Sequence, residues 1–242
     1  MLFDLWGTLI IEEPAIADAR VRVRIEWLRE ALAALGHAHS ADAIEAALAS
    51  ADAEHGRIKA AERDISARGR TVLALQHLDP ALAASLDDAA WEKLDEAMLT
   101  PALAAVPPVA PGTAAALAEV KSLGLATALV SNAGTTPGYV LSRVLDNYGL
   151  LRYLDVTIYS DEVEMAKPAP GIFACALDAL GVEPPEAAFV GDEPALDVFG
   201  ARRAGLWTVQ IGDRARDGIE PHARIASLDA LVPALRELRL LQ

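Results

Sequence analysis

The sequence predicts an α/β protein whose parallel sheet is interrupted near its start by an all-helical insertion. Three observations support this fold class. Residues 1–9 form an apolar run that ends in a turn, residues 14–105 show helical periodicity with almost no strand signal, and strands and helices alternate from Pro111 onward. We therefore expect one domain made of residues 1–13 and 106–242, here called the sheet domain, and a second made of residues 14–105, here called the helical insertion.

The opening stretch, residues 1–9, reads as a buried strand that leads into a tight loop. Asp4 follows the apolar run, and Gly7 and Thr8 provide a turn. Aspartate has low strand propensity, so at the carboxyl end of a strand it is more naturally a site residue than a structural one. Thr8 offers a hydroxyl and an N–H group to whatever Asp4 attacks or binds. The alternative is an ordinary strand followed by an Asx-type turn.

The helical insertion contains several helix signals. Apolar residues recur at helical spacing from Ile16 until Gly36, and Ser40 and the segment 85–88 read as further helix starts. An insertion of this size directly after a site loop suggests a lid over the carboxyl end of the sheet. A separate helical domain with its own function is the alternative.

The remainder of the chain alternates between helices and short apolar strands. We expect strands at residues 125–130, 156–159, 188–190 and 207–211, and helices near residues 113–121, 140–148 and 171–180. Polar residues follow two of these strands, in the order Ser131-Asn132 and Asp192-Glu193 with Asp197 beyond. Open α/β sheets bind ligands at the carboxyl ends of their strands, so these residues are predicted to line a site.

Composition limits the classes of partner. The chain has 35 acidic and 21 basic residues, a formal net charge of −14, which disfavours nucleic acid and anionic membrane surfaces. The uncharged stretch 97–118 contains several prolines that would break a spanning helix. Asp4 interrupts the first apolar run, so we expect no signal peptide, and a single cysteine, Cys175, suits a reducing compartment. We therefore expect a cytoplasmic protein; the oligomeric state stays open.

Four short motifs occur in a fixed order along the chain: Asp4-Leu5-Trp6-Gly7-Thr8, Val130-Ser131-Asn132, Lys167-Pro168-Ala169-Pro170, and Gly191-Asp192-Glu193 with Asp197. Their order and spacing resemble those of the haloacid dehalogenase superfamily, and the match covers essentially the whole chain. The resemblance implies a Rossmann-like core. It also implies that the helical insertion is the cap of the branch that contains haloacid dehalogenases and phosphoglycolate phosphatases.

The resemblance implies a hydrolase that acts on a small anionic molecule. Asp4 would be the nucleophile, forming a covalent aspartyl intermediate that water then hydrolyses. Lys167 would neutralise developing negative charge, and Ser131 would donate its hydroxyl, with the N–H of Asn132, to a phosphoryl oxygen. Thr8 is a further substrate-binding candidate.

We also expect several carboxylates to lie close together at this site. Asp4, Asp192 and Asp197 carry about three negative charges against Lys167 alone, and a divalent cation would relieve their repulsion. Mg²⁺ prefers oxygen ligands and retained waters, so Asp4, Asp192 and the main-chain carbonyl of Trp6 would suffice as protein ligands. Asp197 would bridge to Lys167 or to a metal-bound water, and Glu193 is a lesser candidate.

Trp6 departs from the phosphatase pattern. Phosphatases of the superfamily carry a general acid and base two residues after the nucleophile, and an indole cannot shuttle protons. Three functions follow: a Mg²⁺-dependent phosphatase-like enzyme, which we prefer; a 2-haloacid dehalogenase; or a binding protein that has lost turnover. An arginine reaching the site from the helical insertion would favour the dehalogenase, because a haloacid carboxylate needs a cation. The candidates are Arg20, Arg22, Arg24, Arg29 and Arg57.

Overall fold

The computed structural model describes residues 1–241 and contains a six-stranded parallel sheet of strand order β3-β2-β1-β4-β5-β6. The expected α/β class with helices on both faces is confirmed. Gln242, the last residue of the predicted sheet domain, lies outside the described residues. The strands are β1 (Leu2–Phe3), β2 (Ala128–Ser131), β3 (Val156–Tyr159), β4 (Ala188–Gly191), β5 (Trp207–Ile211) and β6 (Ala223–Ile225).

Ten α-helices accompany the strands within residues 1–241. Those between β1 and β2 are α1 (Pro14–Ala34), α2 (Ala41–Ala60), α3 (Ala67–Leu78), α4 (Asp88–Leu99) and α5 (Thr113–Ser122). The later ones are α6 (Gly138–Asn147), α7 (Ser160–Val163), α8 (Pro170–Leu180), α9 (Phe199–Arg203) and α10 (Leu231–Glu237). Two predicted starts are confirmed, because Ser40 caps α2 and Asp87 caps α4 through side-chain oxygens that accept backbone N–H groups.

Alternate strand residues pack on opposite faces of the sheet. Leu2 and Phe189 belong to a cluster with α8 and α9, whereas Phe3 and Val190 belong to a cluster with α5, α6 and α10. Both faces of β1 are therefore buried. This burial fixes the position of the residue that follows the strand, Asp4.

The helical insertion has an apolar cluster of its own, formed by residues between 25 and 99. Its two connections to the sheet domain run side by side, with Ile10 bridging Val109 in antiparallel fashion. A third contact joins it to the sheet domain farther along the chain, where Arg63 bridges Met165. Among residues 1–241, no helix combines the length and hydropathy needed to span a bilayer.

Two strand predictions differ from the structure. The predicted strand at 125–130 begins only at Ala128, because the N–H of Thr127 donates to the Asp155 carboxylate at 2.9 Å and the Thr127 hydroxyl donates to the Tyr153 carbonyl at 2.6 Å. The edge strand β6 was missed. Its three residues include the charged Arg224, and such a short segment shows no alternation.

Candidate active site

Asp4 directly follows the central strand β1 and lies at the carboxyl edge of the sheet. Its N–H donates to the carbonyl of Val190 at 2.9 Å, so the backbone here is held by β4. The side chain is buried and accepts a hydrogen bond from Lys167 Nζ at 2.5 Å. Lys167 Nζ also donates to Asp197 Oδ1 at 2.7 Å, and one buried ammonium thus serves two carboxylates.

The Asn132 side chain positions Lys167. Its Nδ2 donates to the Lys167 carbonyl at 3.0 Å, and its Oδ1 accepts from the Lys167 N–H at 2.7 Å. The amide thus binds both the N–H and the carbonyl of the lysine backbone. We predicted Asn132 as a substrate-binding residue through its own N–H; the side chain has a positioning role that sequence reasoning did not assign.

Asp197 has both carboxylate oxygens engaged. Oδ1 accepts from Lys167, and Oδ2 accepts from the Glu193 N–H at 2.9 Å. Asp197 lies in a single π-helical turn, Pro194–Val198, which directs its side chain back to the end of β4. Only glycine fits at Gly191, because a Cβ there would lie 2.3 Å from Asp197 Oδ2.

Asp192 lies beside the loop that follows Asp4. Gly7 has φ +79°, and a Cβ at that position would lie 2.5 Å from Asp192 Oδ2, so glycine is required by both conformation and space. Arg214 pairs with Asp192 at 2.9 Å and with Glu193 at 3.1 Å. Sequence reasoning missed Arg214; its only signal was its position in the loop directly after the strand β5.

The carboxylates form a compact cluster with excess negative charge. One oxygen each of Asp4, Asp192 and Asp197 can be chosen so that all three lie within 4.8 Å of one another. Burial, and secondarily the charge of Asp197, raise the pKa of Asp192 to about 6. Burial also raises the pKa of Asp4, against the lowering effect of Lys167. Burial lowers the pKa of Lys167, but the paired carboxylates outweigh it and raise that pKa above its ordinary value.

The donor set of this cluster suits a hard divalent cation. Asp197 already has two partners, so Asp4 and Asp192 are the carboxylates with oxygens left for a metal ion. Burial, and after it the neighbouring carboxylates, raise the pKa values of both groups, in a cluster where three carboxylates face the cations of Lys167 and Arg214. Oxygen-only ligands of this kind match the coordination preference of Mg²⁺.

Two hydroxyl groups near Asp4 lack strong partners within residues 1–241. Ser131 is fully buried at the end of β2, and its Oγ has only a 3.4 Å contact to the Asn132 carbonyl. Thr8 is also buried, and its Oγ1 has no hydrogen-bond partner. Buried hydroxyls are ordinarily satisfied, so both are candidates for binding ligand oxygens.

A cavity of about 220 Å³ opens beside Trp6. The guanidinium of Arg20 lies over the Trp6 ring, 5.1 Å from its centroid, and pairs with Glu12. One Arg20 nitrogen, Nη1, is buried and has no partner within the described residues. Asn132 and residues 134–136 complete the cavity lining. Of these, the sequence analysis identified Asn132 but not residues 134–136.

The other candidate arginines do not line this cavity. Arg24 is buried but donates to the Met98 carbonyl at 2.8 Å, and Arg29 pairs with Glu26 on the surface. Arg22 and Arg57 are exposed. Helical periodicity alone did not distinguish these five residues, because α1 buries two of its arginines on the face that also carries Leu28.

A model of the haloacid dehalogenase-like hydrolase family matches residues 1–205. Among curated proteins, a phosphoserine phosphatase from Thermus thermophilus is 41% identical over 131 residues, which cover 54% of this chain and 50% of that protein. An (S)-2-haloacid dehalogenase 4A from Burkholderia cepacia is 36% identical over 128 residues, covering 53% and 52%. The matched part thus spans about half the length of these relatives.

Solved structures match over nearly the full chain. A 2-haloacid dehalogenase from Pseudomonas syringae pv. Tomato DC3000 superposes with a TM-score of 0.73 at 23% identity, covering 98% of this chain and 97% of that one. An HAD phosphatase from Thermococcus onnurineus superposes with a TM-score of 0.63 at 28% identity, covering 97% and 96%. The first likeness concerns the fold alone.

Proposed function

The chain belongs to the haloacid dehalogenase-like hydrolase family, and on that premise we propose that it is a Mg²⁺-dependent phosphatase-like enzyme for a small phosphorylated metabolite. One observation carries the proposal. Lys167 and the Glu193 N–H occupy both oxygens of Asp197, while Asp4 and Asp192, in the same compact cluster, each keep one oxygen with no partner among residues 1–241. The similarity to a protein named phosphoserine phosphatase supports the same reaction class.

In this proposal Asp4 attacks the phosphorus atom and expels the leaving group, and water then hydrolyses the aspartyl phosphate. Lys167 keeps Asp4 oriented and offsets negative charge on the transferring group. The Ser131 hydroxyl and the Thr8 hydroxyl donate to phosphoryl oxygens. Asp4, Asp192 and the Trp6 carbonyl would hold Mg²⁺, which supplies positive charge to the phosphoryl group when bound.

Trp6 limits which leaving groups such an enzyme handles. The indole ring is covered by Arg20, which cannot give up its proton near neutral pH. An alkoxide leaving group therefore lacks a proton donor at this position. We propose aryl or acyl phosphates, whose leaving groups have low pKa values, as the better substrates.

A 2-haloacid dehalogenase is the second candidate, and Arg20 is the observation that favours it. Arg20 lines a cavity that also contains Trp6 and Asn132, and its Nη1 has no partner within residues 1–241. The guanidinium already pairs with Glu12, so a haloacid carboxylate bound there would compete with Glu12 for this cation, whereas a departing halide needs no proton. Similarity to an (S)-2-haloacid dehalogenase 4A is consistent with this reading.

Two further assignments belong to the proposal. Residues 14–105 act as a cap, since α1 brings Arg20 to the cavity beside Trp6, two residues after Asp4. The protein works in the cytoplasm, in keeping with its single cysteine, Cys175.

A parallel screen of phosphate and halide release, with and without Mg²⁺, tests the proposal. We expect Mg²⁺-dependent phosphate release from aryl or acyl phosphates, and none from the Asp4→Asn control. Halide release from 2-haloacids without metal, together with no phosphate release, would replace the first candidate by the second. An absence of both activities would leave a binding protein.

A further inference from the structure

A buried polar network centres on Asp64, in the segment between α2 and α3 of the helical insertion. Its carboxylate is fully buried and has three side-chain partners. His55 Nε2 lies 2.5 Å from Oδ1, Arg70 Nη2 donates to both oxygens at 3.3 and 3.4 Å, and the Ser160 hydroxyl donates to Oδ2. Ser160 begins α7 in the sheet domain, so the network crosses from one unit to the other.

The same network holds the loop that follows β2. The N–H of Ala133 donates to the Ser160 hydroxyl oxygen at 2.8 Å. The carbonyl of Ala133 accepts from Lys59 Nζ and, at 3.5 Å, from Arg70 Nη2. Both peptide groups of Ala133 are therefore held by the network, one residue after Asn132 and two after Ser131.

Asp64 also lies at the backbone contact that precedes Lys167. Its N–H donates to the Glu164 carbonyl at 3.1 Å, and the Ala166 N–H donates to the Glu62 carbonyl at 3.2 Å. Ala166 is the residue directly before Lys167. One short segment of the insertion thus contacts the chain beside Ser131 and the chain beside Lys167.

We propose that Asp64 is a positioning residue that couples docking of the helical insertion to placement of the loop 131–136. The carboxylate orients the Ser160 hydroxyl, the hydroxyl fixes the Ala133 peptide, and the fixed peptide sets the direction of Ser131 toward Asp4. The role of Ser131 rests on the proposed function. The placement of the loop does not, and it can be measured without substrate.

The competing account is that Asp64 only stabilises the helical insertion. Asp64→Asn separates the two accounts, because Asp64 reaches the Ala133 peptide only through Ser160 and Arg70 among the described residues. Ser160→Ala removes the acceptor of the Ala133 N–H directly and is the positive control. Asp95 provides a matched control. It pairs with Arg68 between α3 and α4, entirely inside the insertion, so Asp95→Asn removes an ion pair of the insertion that does not reach the loop.

The experiment compares amide hydrogen exchange, read by mass spectrometry, in the unaltered full chain and in Asp64→Asn, Ser160→Ala and Asp95→Asn. We expect Asp64→Asn and Ser160→Ala to speed exchange in peptides covering 131–136 by about tenfold, with the strands of the sheet unchanged. Asp95→Asn should leave that loop unchanged. If Asp64→Asn does not fold, His55→Gln takes its place, because among residues 1–241 the His55 side chain hydrogen-bonds to Asp64 and not to Ser160 or Ala133.

Faster exchange of Asp64→Asn confined to residues 55–75, with exchange in the loop 131–136 as slow as in the unaltered protein, would overturn the proposal. Turnover of p-nitrophenyl phosphate adds a second readout, where we expect Ser160→Ala to lower kcat about tenfold with KM within about twofold. A rise in KM alone would contradict the positioning role. If the unaltered protein does not hydrolyse this ester, the proposed function is at fault, and the exchange result still decides the role of Asp64.

Discussion

The acidic cluster at Asp4 and the network at Asp64 are both built from buried carboxylates and cations, yet their charge balance is opposite. In the first, Asp4, Asp192 and Asp197 surround the single buried ammonium of Lys167. In the second, the carboxylate of Asp64 is surrounded by His55, Arg70, Lys59 and a hydroxyl. The acidic cluster therefore has fewer cations than carboxylates, whereas the carboxylate of Asp64 has several cationic or hydrogen-bonding partners.

The pKa values reflect this difference. Burial and neighbouring carboxylates raise the pKa of Asp192 to about 6. Burial also opposes ionisation of Asp64, but the hydrogen bond from His55 and the charge of Arg70 prevail and lower its pKa to about 2. A carboxylate whose ionisation costs stability near neutral pH is a candidate for a ligand or reaction site, whereas one whose ionisation contributes stability suits a role in holding or positioning other groups.

The largest expected effect is that of Asp4→Asn on turnover. Removing the nucleophile should lower kcat roughly 10⁴-fold or more. The melting temperature of the metal-free protein should stay the same or rise, because a carboxylate with a raised pKa is lost. Steady-state kinetics and thermal melts of the same samples check both parts. Turnover retained in Asp4→Asn would show that Asp4 is not the nucleophile. The acidic cluster would then no longer be the catalytic member of the two compared sites.

A second substitution, Trp6→Asp, adds a carboxylate to the cluster and supplies the missing proton donor. We expect hydrolysis of alkyl phosphates to rise by up to about 10²-fold relative to aryl phosphates. Trp6→Phe is the control, since it keeps an aromatic ring and adds no titratable group. Equal rates on alkyl and aryl esters in the unaltered protein would show that another residue already donates the proton.

Asp192→Asn should separate metal binding from stability. The folded pKa of Asp192, about 6, lies above its unfolded value of 3.8, so ionisation costs stability increasingly as pH rises between these values. At pH above 6 the substitution should raise the melting temperature of the metal-free protein by about 2–4 °C per kcal/mol gained. It should also abolish the shift caused by millimolar Mg²⁺.

The control for Asp192→Asn is the exposed Asp213→Asn, which removes the same charge outside the cluster. It should leave the Mg²⁺ shift intact. A Mg²⁺ shift that survives Asp192→Asn would place the metal elsewhere, and no shift in the unaltered protein would favour the dehalogenase.

The smallest expected effect concerns Asp64 in acid. Its folded pKa, about 2, lies below the unfolded value of 3.8, so its ionisation contributes on the order of 2 kcal/mol of stability that is present above pH 4 and is lost as pH falls toward 2. The free energy of unfolding of Asp64→Asn should therefore approach that of the unaltered protein between pH 4 and pH 2. If the free energies of unfolding of the two proteins differ by the same amount at pH 4 and at pH 2, Asp64 does not have the lowered pKa assigned to it.

The sheet and the order of its polar residues could be predicted from the sequence because they depend on local patterns. Apolar runs such as 188–190 are followed within two residues by a charged residue, and the carboxyl ends of parallel strands share one edge. The roles of Asp4, Ser131 and Lys167 stay predictions. Side-chain direction could not be predicted, since the position of Arg20 depends on how α1 packs.

The network at Asp64 could not be predicted from the sequence either. No sequence motif corresponds to the spacing of His55, Asp64 and Arg70. Their partner Ser160 is 96 residues from Asp64 along the chain. Only the docking of the helical insertion on the segment before Lys167 brings them together. Local periodicity carries no information about such contacts.

The most direct test of the central claim is to trap the covalent intermediate. The protein is mixed with an aryl phosphate and Mg²⁺, quenched in acid within the first turnover, and digested for peptide mass mapping. The account predicts a phosphoryl group on the peptide that contains Asp4, absent from Asp4→Asn. Phosphate release with no phosphoryl group on that peptide, or an ester formed there by a 2-haloacid while aryl phosphates leave it unmodified, would contradict the account.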